Sequence, residues 1–382
     1  MRLLKILMAL ISSIIGFSLI AFVGLSYSVT SLENNITVID TNQLANTQAL
    51  QDAIAASREE LQSMAQEPTP LTIALVGSDT RVGQGNGFGK ESGARSDTTL
   101  IIKLNAERTN AVIISIARDL RVDIPACEKS NGTKTNPQST KFNAAYAYGG
   151  ANCMLATIRE NFGIEVDHIA VVDFRGFQEI INIIGGVEVC VAKDVRDDSS
   201  NLDLKAGRQT LMGEEALAFV RARKNLGDGS DVSRSERQRL FLASALRTAE
   251  ANGTFYDLGK LYSILQEVSK SLSMDAELAS AERMFQIALD VEKIGSKNIQ
   301  LISLPWSSNG DGTIKLREES YTILDEFNKA EFPILSKKTI KPILEETLPE
   351  EDLENPDLTK EEIRYEKLGF SADLDMCEAN IR

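Results

Sequence analysis

Residues 6–29, ILMALISSIIGFSLIAFVGLSYSV, form a run of 24 without a single charge. As a helix this run would measure ~36 Å at ~1.5 Å per residue, enough to cross a ~30 Å hydrocarbon core. Arg2 and Lys5 precede it and Glu33 follows it, so the positive-inside rule keeps the N-terminus cytoplasmic. A cleaved signal peptide is the rival reading. Its apolar region is usually ~7–15 residues long and ends in a small-x-small site. This run is longer and has no clean site, so it is read as a single uncleaved anchor. Residues 1–5 are then cytoplasmic, 6–29 span the membrane, and everything after them lies outside the cytoplasm.

Residues 30–69 are polar and rich in Ala and Gln, with Leu50, Ile54, Leu61 and Met64 at roughly helical spacing. They predict a helical stalk that Pro68 and Pro70 end. A globular domain is expected over 70–310 and a C-terminal extension over 311–382. Residues 342–382 hold 13 acidic and 4 basic residues, which reads as a solvated tail without activity. The formal net charge of −14 argues against nucleic acid as a partner. Residues 205–247 run the other way, with 9 basic and 5 acidic residues, and suggest a local site for an anion. Cys127, Cys153, Cys190 and Cys377 suit an oxidising compartment. They allow three pairings, of which Cys127 with Cys153 is favoured because it would clamp the Asn-, Thr-, Ser- and Gly-rich segment between them.

Residues 71–76, 98–104 and 111–116 are short apolar or β-branched runs and read as strands. If they run up, down and up, the end of the first, the start of the second and the end of the third share one sheet edge. That edge would gather Asp79, Arg95, Asp97 and Arg118, where open α/β sheets often hold ligands. Each alone would pass for a solvated loop charge; their joint placement favours a site. The glycine-rich segment 83–89 between them fails as a nucleotide loop. Phe88 stands where a dinucleotide fingerprint needs Gly, and Glu91 where a P-loop needs Ser or Thr. It is read as a lip of the site.

A second cluster lies about a hundred residues on. The segment 211–220 is helix-like and should end near Val220, because Arg221 and Arg223 face the same way only in extended backbone. Asp231 or Ser233 then looks like the N-cap of a new helix. That helix carries Arg234, Arg237 and Gln238 in its first turns and buries Phe241, Leu242, Ala245 and Leu246. Arginines at a helix start suit phosphate oxygens. Carboxylates beside them would cancel part of that charge unless a cation held the carboxylates. Asp79 and Asp97 on Mg²⁺, or another divalent cation, among the arginines describe a diphosphate clamp.

These residues fall in motifs that resemble the LytR-CpsA-Psr family. The motifs are GSDTR at 77–81, RSDT at 95–98, SIARD at 115–119, KFNAAY at 141–146 and VDF at 172–174. GGV at 185–187, LAFVRAR at 217–223 and Arg234…Arg237-Gln238 continue the series. Ala117 departs from the Pro common at that point in the family. The resemblance implies an α/β fold, with a mixed central sheet sandwiched by helices and an apolar pocket for a lipid. It implies a membrane-anchored phosphotransferase that moves a glycopolymer from a polyprenyl-diphosphate carrier onto peptidoglycan through a phosphodiester. In that likeness Asp79 and Asp97 stand as Mg²⁺ ligands, and Arg95, Arg118, Arg221, Arg223, Arg234 and Gln238 as diphosphate contacts. Arg81 and Arg121 are weaker candidates. Asp79, Arg118 and Arg221 are the expected catalytic groups.

The 127–138 insert and the segment 227–231 resemble actinobacterial members, which would make arabinogalactan a plausible polymer. Two alternatives are a pyrophosphatase with water as acceptor and a non-catalytic wall-binding scaffold. A transcription regulator conflicts with the anchor and the charge. His168, at the start of an apolar run, reads as a structural histidine.

Overall fold

The computed structural model describes residues 37–39, 69–78, 96–129, 132–191, 193–222, 231–254, 264, 266, 272–330 and 369–371. Three strands predicted from β-branched runs form the middle of its sheet: β2 (Leu71–Ser78), β3 (Ser96–Leu104) and β4 (Ala111–Ile116). β3 runs antiparallel to both neighbours, pairing Leu75 with Leu100 and Ile102 with Ile113. The up-down-up order expected from the sequence is the order observed. β7 (His168–Val172) lies parallel to β2 on its other side, and β13 (Ile299–Ser303) parallel to β4. β12 (Leu272–Asp275) follows antiparallel beyond β7. The sheet is therefore mixed, as the resemblance implied.

The two rim strands come from unexpected places. β1 (Thr37–Ile39) pairs in parallel with β12, and β16 (Gly369–Ser371) pairs antiparallel with β13. The first lies in the span expected as a helical stalk, the second in the tail expected as a solvated extension; in both, backbone joins the sheet instead. An uncovered rim presents a row of unpaired N–H and C=O groups, and three residues of β1 and of β16 occupy those rows. The 6–29 run lies outside the described residues. Among the described residues no helix is long and apolar enough to cross a membrane.

Alternation of side chains across each strand gives the sheet two greasy faces. On one face Ala74, Val76, Ile101, Ile114 and Ile169 pack against α1 (Ala144–Phe162) and α6 (Glu318–Lys329), which buries Ile323, Leu324 and Phe327. Lys103 reaches through this layer and donates to the Phe327 and Asn328 carbonyls at 2.9 and 3.2 Å. It thereby supplies donors at the C-terminal end of α6. On the other face Ile73, Leu104, Ile113 and Leu301 pack against α2 (Phe174–Ile183), α3 (Gly213–Arg221) and α4 (Asp231–Ala251). α5 (Ala281–Ile294) covers the β7–β12 flank, where Met284 packs beside Met274.

The helix α1 bends at Gly149 and Gly150, whose backbone leaves the helical region. The bend lies against a disulfide. Cys127 and Cys153 are bonded, with Cα atoms 5.3 Å apart. A Cβ on Gly149 would come within 2.8 Å of the Cys153 Cβ and 3.0 Å of the Cys127 Cβ, so only glycine lets the helix pass the crosslink. Cys190 is disulfide-bonded too, with a partner outside the described residues.

Candidate functional site

One edge of the sheet collects the end of β2, the start of β3, the end of β4 and the end of β7. Gly77 pairs with Thr98 and Ser78 with Ser96, so the register slips by one residue and Asp97 is the extra residue of a bulge. Bulges re-aim backbone beside sites. Asp79, Arg81, Arg95 and Arg223 lie outside the described residues, as does the glycine lip. Asp79 nevertheless follows Ser78 directly in the chain, and Ser78 pairs with Ser96, the neighbour of Asp97. The donor set itself, two hard-oxygen carboxylates each next in the chain to one of these paired residues, is chemically of the kind taken by a cation that uses one or two protein carboxylates and completes its shell with water and phosphate.

Arg118 lies just past β4, with its Nε 3.6 Å from the Asp119 carboxylate. Asp119 also accepts from Lys141 Nζ at 2.6 Å, which ties the 141–146 segment to the same edge. Tyr146, near the start of α1, hydrogen-bonds the Ser78 side chain, and burial pushes its phenol well above the ordinary range against that bond. Arg121, the weaker candidate, instead pairs with Asp311 at 2.5 Å. Asp173 caps α2, accepting from the Gly176 N–H at 2.7 Å. Burial raises its pKa, opposed by the hydrogen bonds from Gly176 and Arg175.

The second cluster meets the first. The helix α3 ends at Arg221, one residue past the expected stop, and Ala222 is extended. The exposed Arg221 guanidinium stacks 4.4 Å from the centre of the Phe174 ring, which opens α2 immediately after β7. Gln238 makes the decisive link. Its amide oxygen accepts from Thr98 Oγ1 at 3.2 Å, and its amide nitrogen donates to the Val220 carbonyl at 3.0 Å. The residue after bulged Asp97 and the residue before Arg221 are thus held by one side chain. Arg234 and Arg237, on the same helix, are buried.

Among the participants that sequence reasoning missed are Tyr146 and Asp197. Tyr146 sat inside a quoted motif without a role. Asp197, on β9 (Val195–Asp197), is only 1% exposed and acts electrostatically on Arg237. One acid among several in this hairpin, with Asp198 beside it and Asp203 on the paired strand, offers no pattern that announces its burial. His168 lies at the opposite end of β7. Its Nδ1 is 3.1 Å from the Asp275 carboxylate and its Nε2 takes Arg283 at 3.2 Å, which is a structural arrangement. It lines a cavity of about 200 Å³ with Arg159, Glu165 and Asp167, at the far edge from the site.

The family profile described as LytR_cpsA_psr matches residues 33–332. The chain belongs to the LytR-CpsA-Psr family. The matched span begins before β1 and ends just beyond α6. Two relatives give the scale of LytR-CpsA-Psr similarity. The polyisoprenyl-teichoic acid–peptidoglycan teichoic acid transferase TagT of Bacillus subtilis is 29% identical over 257 residues, 65% of this chain and 73% of that protein. The cell wall biosynthesis protein LcpA of Corynebacterium glutamicum is 30% identical over 280 residues, 66% of this chain but only 52% of its own length. Among solved structures, protein gbs0355 of Streptococcus agalactiae superposes with a TM-score of 0.56 at 23% identity, over 69% of this chain and 88% of that one. A LytR-Csp2A-Psr enzyme from Actinomyces oris gives 0.52 at 22% identity, over 68% and 89%. Both share the fold.

Proposed function

We propose that this chain transfers a glycopolymer from a polyprenyl-diphosphate carrier to peptidoglycan, forming a phosphodiester. The observation that carries the reading is the Gln238 bridge between Thr98 and Val220. It ties the start of β3, next to Asp97, to the end of α3, next to Arg221. The names of relatives such as TagT support the same class of substrate and acceptor.

In this reading the acceptor sugar hydroxyl attacks the phosphorus nearest the donor sugar. A new P–O bond forms, the bond to the bridging oxygen breaks, and polyprenyl phosphate leaves. Arg118 and Arg221 offer guanidinium groups to charge developing on the bridging and non-bridging oxygens, where preorganised donors contribute most. Arg95, Arg223, Arg234, Gln238 and Arg81 complete the diphosphate contacts. Asp79 assists departure of the hydroxyl proton. Asp79 and Asp97 would hold Mg²⁺, which when bound supplies charge neutralisation at the phosphates.

In this reading the carrier's isoprenoid lies along partly buried apolar side chains of the sheet. Leu75, Leu100 and Ile102 lie on strands in the middle of the sheet, yet are only partly buried. Partly buried Leu242, Ala245 and Leu246 of α4 pack against the core that Leu100 and Ile102 border. A 6–29 anchor would tether the domain to the membrane from which the carrier comes, outside the cytoplasm, and the bonded cysteines suit that compartment.

The test is release of prenyl phosphate from a short-chain prenyl-diphosphate disaccharide by the purified protein, with and without peptidoglycan fragments. Transfer of the saccharide to peptidoglycan is expected, with Arg221→Ala and Arg118→Ala each lowering turnover on the order of 10²-fold. Release that ignores peptidoglycan would make the chain a pyrophosphatase. Unaltered function in Asp79→Ala would make it a scaffold.

A further inference from the structure

The last carbonyls of a helix need donors from elsewhere, and a glycine in the left-handed conformation often supplies them. The C-terminal end of α3 has no such glycine. Ala222 follows Arg221 in extended conformation, and its N–H satisfies only the Ala218 carbonyl, at 2.9 Å. Residues of the neighbouring α4 supply donors to three more carbonyls at this end. Arg237 Nε donates to the Phe219 carbonyl at 3.1 Å and Arg237 Nη2 to the Ala222 carbonyl, while Gln238 holds that of Val220. The Arg237 guanidinium lies 5.7 Å from the Phe219 ring centre and the residue is 3% exposed. Both of these Arg237 hydrogen bonds go to the end of α3 or the residue after it, and the guanidinium charge sits at the negative end of that helix, where a cation is favoured.

We infer that Arg237 is a positioning residue that pins the end of α3, and through it the Arg221 guanidinium. The inference rests on the transfer reading above and assigns a role within that site. Burial and the adjacent Arg234 pull the Arg237 guanidinium down to about 10, and Asp197 works against them. The β9–β10 hairpin carries that carboxylate, with β10 (Leu202–Leu204) antiparallel to β9. Ser199 fixes the carboxylate from the hairpin turn, donating its N–H at 2.9 Å and its hydroxyl at 2.5 Å. Lysine at position 237 would keep the charge but lose the fork that spans two carbonyls.

The test is a double-mutant cycle on full-length protein, read as prenyl phosphate release from the short-chain prenyl-diphosphate disaccharide. Arg237→Lys should lower kcat at least 10-fold and change donor KM less than 3-fold. In an Arg221→Ala background the same substitution should cost less than 3-fold further, because its effect runs through Arg221. Asp197→Asn follows the same pattern with a smaller loss, and stands in if Arg237→Lys does not fold. Losses that multiply fully in the double variant would overturn the inference, as would a rise in KM with kcat unchanged. A wild-type protein that releases no prenyl phosphate would instead overturn the transfer reading.

Discussion

Arg221 is useful because it is held without being buried. Its guanidinium lies over the Phe174 ring, a contact that contributes about 0.5–1 kcal/mol at an exposed site. Phe174→Leu should therefore lower turnover roughly 2–5-fold while leaving the melting temperature nearly unchanged; steady-state rates and a melting curve check both. Asp275 shows the opposite design. Burial would raise its pKa, but hydrogen bonds from His168, Leu278 and Ile169 outweigh that and hold it below the usual 3.8. A carboxylate depressed in the folded state contributes stability above its unfolded pKa and loses it as pH falls through the folded value. Acid should lower the wild-type melting temperature below pH 3.8, and Asp275→Asn should flatten that part of the curve. At neutral pH the same substitution should cost about 1–3 kcal/mol.

Among the elements, α1 depends most on a single local fit. Gly149→Ala would press a methyl group into the Cys127–Cys153 crosslink, an overpacking that costs about 1–3 kcal/mol. Opening the crosslink by Cys127→Ser with Cys153→Ser should cost roughly 2–4 kcal/mol; chemical denaturation measures either change. The elements around the site were largely legible in the sequence. β2, β3 and β4 stand out because β-branched runs alternate with turns, and the end of α3 because Arg221 and Arg223 could not share a helical face. The rim strands were not legible. Three residues carry no measurable periodicity, and Thr37–Ile39 pairs with Ser273–Asp275, more than two hundred residues on. Asp197 was hidden for a related reason: its burial depends on how a hairpin docks, not on its neighbours in the chain.

At the scale of the whole molecule, a three-layer fold separates two ends of one sheet. The far end holds His168, Asp275 and Arg283 in a closed set of hydrogen bonds. The near end gathers groups from opposite halves of the sequence, joined by one glutamine. Gln238→Leu keeps the bulk of that side chain but cuts both bonds, and should lower turnover at least 10-fold, about the reduction expected when a charge-stabilising group is misplaced. The most direct measurement is a crystal structure of the protein soaked with a short-chain prenyl diphosphate and Mg²⁺. The phosphates are expected between the Asp79–Asp97 pair and the Arg118 and Arg221 guanidinium groups, with the prenyl chain along Leu75, Leu100 and Ile102. Phosphates bound only in the His168 cavity, or nowhere on the sheet edge, would contradict the account.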